Sequence, residues 1–314
     1  MRSFKDIAQR VLPRPVEQLA RDIVYRRNCR LRPEQYRSAL EQWYRVSKGV
    51  DCRLDDPRTL GEKLQWLKLY DATPEKGRLA DKYLVRSWVA DTIGEQYLVP
   101  LLGVWERPEH IAWDELPRRF VLKATHGSGW NIVVKDAAQL SVDEAVRRLA
   151  CWRGRRMAML GGFELHYEFC EPRIIAEQYL EDASGGLRDY KFITFDGRVQ
   201  FILAIEGRFA TERSGTYLAD WSPAPFRYGY RVGVPGDIPR PGCLDEMLHL
   251  AQRLGAGFPF ARVDFYEVDG RVYFGEITFT DANGLSTFDP ECYDEVFGSK
   301  LVLPEKRPFK GVML

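Results

Sequence analysis

Apolar residues recur at helical spacing through the first third of the chain and change to two-residue alternation in the last third. Ile7, Val11, Val16, Leu19, Ile23 and Val24 follow the helical period, interrupted by Pro13 and Pro15, and predict helices over residues 1–48. A second stretch of this region runs from about Pro33 to Tyr44. Asp55-Asp56-Pro57 marks a break. Thr59 then reads as an N-cap, and Glu62, three residues on, completes a capping box for a helix over 60–70 with Leu64, Trp66 and Leu67 on its apolar side. Another helix is expected from near Lys76, carrying Leu79, Tyr83, Val85 and Trp88 and ending at Gly94.

Beyond that point short apolar runs predict strands. Leu98 to Trp105 is one, and Arg173 to Leu180 another. Between them, Phe120 to Lys135 reads as two strands joined by the loop His126-Gly127-Ser128-Gly129, and Ser141 caps a helix through Trp152. Tyr190 to Phe195 and Val199 to Leu203 flank Asp196-Gly197, a strong hairpin signal, and Asp269-Gly270 turns a second hairpin between Arg262–Tyr266 and Val272–Ile277. Leu244 to Leu254 is an amphipathic helix, and 207–240 is a loop-rich aromatic stretch. No internal repeat is visible.

A length of 314 residues allows two or three lobes, and 45% hydrophobic with 13% aromatic residues marks a globular chain. The net charge of +1 offers no global argument for nucleic-acid binding. The charge is uneven, since residues 1–46 hold eleven Lys/Arg against five Asp/Glu. That basic segment either lies on an anionic membrane or docks on the body of the protein. The six cysteines form no C-x-x-C pair and no zinc spacing, which suits reduced thiols in a cytosolic protein. No apolar run is long enough to span a membrane, and the start lacks the apolar core of a secretion signal, so a cytoplasmic protein is expected.

Two constellations carry chemistry. Glycine in the 126–129 loop lets backbone N–H groups approach anionic oxygens closely, and Lys123 and Lys135 on the flanking strands add compact positive charge. Lys123 lies inside an apolar strand, where a lone ammonium is costly, so a ligand or carboxylate partner is expected. On the C-terminal hairpin, Arg262 and Asp264 point the same way, and Glu276 and Thr278 on the partner strand can join them. Paired carboxylates on adjacent strands suit Mg²⁺; the plain alternative is a solvated charged face. His126, one of four histidines, reads more readily as a packing or capping group than as a catalyst.

The ordered set Asp81-Lys82, Lys123, Gly127-Ser128-Gly129, Glu177-Gln178-Tyr179-Leu180, Asp189-Tyr190-Lys191, Arg262-Val263-Asp264 and Gly275-Glu276-Ile277-Thr278 resembles the ATP-grasp superfamily. Residues 57–70, the stretch Ala80 to Trp105 and His126-Gly-Ser-Gly are similar to the TupA-like ATP-grasp family, associated with teichuronopeptide and other surface-polysaccharide synthesis. The resemblance covers about 55–300. It implies an α+β fold in which two lobes clamp ATP, preceded by a mainly helical region. The expected divisions are 1–58, 59–115, 116–180 as the small lobe with the flap, and 181–314 as the large lobe with the metal site.

Carried over, the resemblance implies that Lys82, Lys123 and Lys135 attend the phosphates and adenine pocket and that His126 to Gly129 form the flap. Glu177 would take the adenine amino group, Gln178, Tyr179 and Leu180 the hinge, and Asp189 or Lys191 a place near ribose or phosphates. Asp264 and Glu276, with Thr278, would hold magnesium. Arg262, Lys191 and Arg208 would face the reacting groups. Bland readings stand beside these: Lys82 as a solvated helix lysine, Glu177 as a surface carboxylate, Asp189 as a turn residue. The chain departs from the superfamily where Glu-x-Asn becomes Glu276-Ile277-Thr278; Asp281 or Asn283 would then substitute, or a second metal would be held less tightly. Residues 207–240 offer Arg208, Arg213, Arg227 and Arg231 among Tyr217, Trp221, Phe226, Tyr228 and Tyr230, compatible with a uronic-acid saccharide or with a self-packed loop.

The resemblance implies a carboxylate–amine ligase working through an acyl phosphate, joining an amine or amino acid to a saccharide or lipid-linked glycan. Alternatives are a glycan-directed kinase or glycosyltransferase on the same scaffold, or a catalytically degenerate nucleotide-binding protein of a polysaccharide assembly complex.

Overall fold

The computed structural model describes residues 14–182, 186–207, 212–229, 234–235 and 237–314. Readings that fall on Ile7, Val11, Arg208, Tyr230 and Arg231 lie outside them. The first part is helical, as its periodicity predicts: α1 (Arg14–Asn28), α2 (Tyr36–Lys48), α3 (Leu60–Tyr70), α4 (Pro74–Ala80) and α5 (Val85–Thr92). The capping box of α3 is present, with the Thr59 side chain accepting from the Glu62 N–H and the Glu62 carboxylate accepting from the Thr59 N–H. Glu62 also holds Arg53 through Nε at 2.7 Å.

Two differences from the sequence pattern have physical causes. Helix α3 has no solvent face: every residue but Lys63 is buried, because it packs against both α8 (Tyr293–Lys300) and the loop 281–284. The single helix expected from Lys76 to Gly94 is two helices. Asp81 ends α4, and its carboxylate accepts the Tyr83 and Leu84 N–H groups at 2.8 and 3.0 Å, turning the chain before α5.

A small antiparallel sheet follows, built from β1 (Leu101–Trp105), β2 (Phe120–Ala124), β3 (Asn131–Val134) and β4 (Ile174–Gln178) in the order β1-β4-β2-β3. Helix α6 (Val142–Arg153) covers one face. Strand alternation decides which residues it covers. Phe120, Leu122, Ile174 and Ala176 pack with Leu149 of the helix, which leaves Val121, Lys123 and Glu177 on the opposite face.

The second sheet contains β5 (Asp189–Phe195), β6 (Arg198–Glu206), β7 (Arg213–Tyr217), β9 (Val234–Pro235), β10 (Ala261–Val268) and β11 (Arg271–Thr278), ordered β11-β10-β5-β6-β7-β9. Both predicted Asp-Gly turns form, with Asp196, Gly197, Asp269 and Gly270 all at positive φ, the conformation that a two-residue hairpin requires. Strands β8 (Arg227–Gly229) and β12 (Thr287–Asp289) make a separate pair. Helix α7 (Leu244–Gly255) packs its apolar stripe on Tyr190, Phe192, Val263, Phe265 and Ile277. The alternate positions face the other way. At one end of that second face, Ile193, Phe195, Phe201 and Phe260 sit under the helical region, in one core with Leu40, Tyr44, Leu64 and Leu67. At the other end the same face carries Asp189, Lys191, Arg262 and Asp264. The described helices thus pack against one end of this face.

Candidate active site

Lys123 and Glu177 lie on the open face of the small sheet because their neighbours in sequence are committed to the α6 core. The Lys123 Nζ is 2.6 Å from Glu177 Oε2, so the apolar strand's ammonium has the carboxylate partner its position requires. The other Glu177 oxygen accepts from Arg86 Nη1 at 3.1 Å, and Arg86 Nη2 donates to the Val99 carbonyl at 2.9 Å. Glu177 is 7% exposed and held between two cations.

Lys82, next to the Asp81 turn, is tied to the loop over the small sheet. Its backbone N–H donates to Thr125 O, and its Nζ donates to the Gly127 carbonyl. Burial holds its pKa below the ordinary lysine value. Within the loop, His126 Nε2 lies 3.1 Å from the Trp152 carbonyl, and its ring meets Trp130 edge-on. Trp130 stacks on Trp152, with interplanar angle 5°. His126 therefore packs, in line with its reading as a packing or capping group; its pKa is lowered by burial. Gly127 is required by contact: a side chain there would overlap the Trp130 ring.

The large sheet supplies the facing wall. Cross-strand register sets Asp264 opposite Glu276 on one side and opposite Lys191 on the other, and sets Arg262 opposite Thr278. Lys191 Nζ bridges Asp189, at 2.9 Å, and Asp264. Arg262 donates to Asp264 at 2.7 Å, to Glu276 at 2.5 Å and to Asp281 at 2.6 Å. Burial works against the Arg262 charge, but these carboxylates outweigh it and hold its pKa above the usual guanidinium value. Burial pushes the Asp264 carboxyl up to about 6, although Arg262 and Lys191 pull it down. Asp281 is held low despite its burial, by Arg262, Tyr228 and Ser286. The hairpin is not a solvated charged face, since Asp264 is 2% exposed.

The two walls share a cleft. One cavity of about 280 Å³ is lined by Val121, Lys123, Lys135, Glu177, Asp189 and Tyr266, together with the connecting residues Gln178, Tyr179 and Leu180. A smaller hollow beside it is lined by Lys82, Arg86, Lys123, Glu177 and Glu276. Lys123 and Glu177 belong to both. Apolar side chains with a few convergent charges are the usual lining of a small-molecule site.

Asp264 and Glu276 supply hard oxygen donors from adjacent strands, a donor set that fits a magnesium ion. Among the described residues no group of three or more acidic, histidine or cysteine side chains is placed to hold a metal ion by itself, so phosphate oxygens would have to complete the set. Thr278 Oγ1 lies 3.5 Å from Glu276 Oε1, within the same group.

The structure brings together Lys82, Lys123, Lys135, Glu177 to Leu180, Asp189, Lys191, Arg262, Asp264, Glu276 and Thr278, with the 126–129 loop tied to Lys82 at the edge. Arg208 lies outside the described residues. Of the two candidates for the missing asparagine, Asp281 joins the acidic group. Asn283 does not: its side chain accepts from Lys68 and donates to the Gly161 carbonyl at 2.9 Å. Arg86 was not legible as a site residue. Its partners, Glu177 and the Val99 carbonyl, are distant in sequence, so no local signal marks it.

A model of the family described as TupA-like ATPgrasp matches residues 62–302. No curated protein matches by sequence. Among solved structures, D-cycloserine synthetase DcsG is 14% identical, with 72% of this chain and 71% of that one covered, at a TM-score of 0.39. D-alanine–D-alanine ligase from Bacillus anthracis is 18% identical, covering 64% of this chain and 56% of its own, at 0.37. The ATP-grasp ligase PsnB, complexed with a minimal precursor, is 15% identical over 67% and 56%, at 0.36. The chain thus spans little more than half the length of the latter two.

Proposed function

We propose, on the footing that this chain belongs to the TupA-like ATP-grasp family, that it is an ATP- and magnesium-dependent carboxylate–amine ligase acting on a surface saccharide. The observation that carries the reading is the shared cleft: Lys123 and Glu177 on one sheet and Asp189 and Glu276 on the other border the same pair of adjoining hollows.

Adenine would lie in the larger cavity, against Val121, Val133 and the 178–180 connection, with the phosphates running toward Lys82 and Lys123. The loop 126–129 would cover them, Gly127 allowing the close approach. Asp264 and Glu276 would hold Mg²⁺, with phosphate oxygens and water completing its shell. When bound, the ion would neutralise charge building on the transferred phosphoryl group. Arg262 and Lys191 are cations that share Asp264. They would orient the carboxylate that receives the γ-phosphoryl group and stabilise the charge on it. Phosphoryl transfer would leave ADP, and an amine would then attack the acyl carbonyl, forming the amide, displacing phosphate and giving up a proton. Joining an amino acid to a uronic acid on a saccharide or lipid-linked glycan is the substrate class proposed.

Product analysis tests this. Incubation with Mg·ATP, uronic-acid saccharides and amino acids should release ADP and phosphate only when both carboxylate and amine are present, with a product one amide condensation heavier. Release of AMP, or a product heavier by a phosphate or a sugar, would overturn the ligase reading. The last two outcomes would favour a kinase or a glycosyltransferase.

A further inference from the structure

We infer that the outward face of α1 is a docking surface for an anionic membrane. The helix carries two different faces. Its inner face is committed to the segment 155–159. Asp22 pairs with Arg155 at 2.6 Å, the Arg155 guanidinium lies over the Tyr25 ring, the Arg156 N–H donates to the Tyr25 hydroxyl, and the Asn28 amide donates to the Met159 carbonyl at 3.0 Å. Helical geometry sends positions 19, 23, 26 and 27 to the opposite side.

There the protein displays what it normally hides. Leu19 is 61% exposed and Ile23 is 60% exposed, with Val24 beside them. Arg26 and Arg27 continue the same stripe one turn later and are exposed, as is Arg30 just past the helix end. Arg27 donates to Gln42 of α2 at 3.0 Å, and Val46, one turn beyond Gln42, is 65% exposed. Asp22 is turned inward and paired with Arg155. The outer stripe is therefore apolar at one end and cationic at the other.

That pairing selects the partner. A purely apolar partner would leave the arginines unanswered, and a nucleic acid would leave Leu19 and Ile23 in water. An anionic bilayer takes both, the aliphatic side chains entering the acyl boundary while the guanidinium groups meet headgroup phosphates. No described helix is long and apolar enough to cross a membrane, so the contact lies along the surface. The inference does not depend on the reaction catalysed.

Vesicle co-sedimentation of the full chain tests it, with phosphatidylcholine alone and with phosphatidylcholine containing phosphatidylglycerol. The chain should sediment with the anionic vesicles and not with the neutral ones, less so as salt rises above about 0.1 M. Two double variants, Leu19→Ser with Ile23→Ser and Arg26→Glu with Arg27→Glu, should each cut the bound fraction by about fivefold or more. Neither should change the melting temperature or nucleotide binding. Equal sedimentation with both vesicle types, none with either, or anionic binding that survives both variants would overturn the inference. A concentration-dependent dimer abolished by the serine variant would also overturn it, by giving the face to a second copy of the chain.

Discussion

Lys123 on β2 and Glu177 on β4 meet across neighbouring strands at 2.6 Å, and Glu177 holds a second cation, Arg86, at 3.1 Å from α5. The helical region therefore contributes a charge to the cleft. A phosphate that draws Lys123 away leaves Glu177 still paired with Arg86. The two cations should then fail differently when removed. Lys123→Met should weaken nucleotide binding by about tenfold or more, with the smaller loss of stability, because only one Glu177 oxygen loses its donor and Arg86 stays on the other. Arg86→Met leaves the Val99 carbonyl and a buried carboxylate oxygen without a donor and should cost about 3 kcal/mol in urea unfolding. Equal stability losses in the two variants would refute this division of labour.

Gly127 sits against Trp130 so closely that a methyl group overlaps the ring. Gly127→Ala should displace the loop 126–129 from its edge contact with Trp130 and its hydrogen bond to the Trp152 carbonyl. Turnover with Mg·ATP should fall by about tenfold or more, corresponding to roughly 1.4 kcal/mol in the barrier. The melting temperature should stay close to wild type, since the loop lies at the edge of the small sheet. A variant with full turnover would remove the loop from the proposed chemistry.

His166 gives a pH dependence with a defined sign. Burial holds its pKa down to about 3, and the neighbouring Lys76 and Lys68 add to the effect. In the unfolded chain it titrates near the ordinary value of about 6.5. Between these limits the unfolded state binds the extra proton, so stability is lost as pH falls from about 6.5 toward 3, by at most about 1.4 kcal/mol per unit. His166→Phe keeps an aromatic ring against Tyr167 and Phe279, 4.4 and 6.0 Å between centroids in the wild type. Chemical denaturation across that range should give a shallower acid slope for the variant. An unchanged slope would contradict the buried neutral histidine.

Lys68 is 1% exposed and donates to Gln65 Oε1 at 2.7 Å and to the Asn283 carbonyl at 2.5 Å. It ties α3 to the loop that follows the acidic hairpin. Lys68→Met should destabilise the protein by about 3 kcal/mol, as expected when one member of a buried polar group is removed. It should also lower activity through the position of Asp281, although Lys68 borders neither cavity. Stability and activity both at wild-type level would show that this tie does not matter.

Much of this arrangement was legible from pattern. Both Asp-Gly hairpins, the strand bearing Glu177 and the capped helix after Thr59 follow from local signals that tertiary contacts did not override. Two-residue alternation also placed Arg262, Asp264, Glu276 and Thr278 together, because strand register preserves what alternation implies. The break at Asp81 was not legible: the apolar period continues through it, and only the folded chain shows the carboxylate turning back on the Tyr83 and Leu84 N–H groups. Helix α3 misled in another way. Its charged residues suggest a wet face, but Glu62 and Lys68 are buried against Arg53 and Asn283, partners that periodicity cannot see. Arg86 was missed for the same reason, since its partners Glu177 and Val99 are distant in sequence.

The central claim is that one cleft clamps a magnesium-bound triphosphate between the two sheets. Isothermal titration with a non-hydrolysable ATP analogue and Mg²⁺ tests it most directly. The wild type should bind one nucleotide per chain, and Lys123→Met on one wall and Glu276→Gln on the other should each weaken binding by about tenfold or more. Wild-type affinity in both variants, or no binding by the wild type, would contradict it.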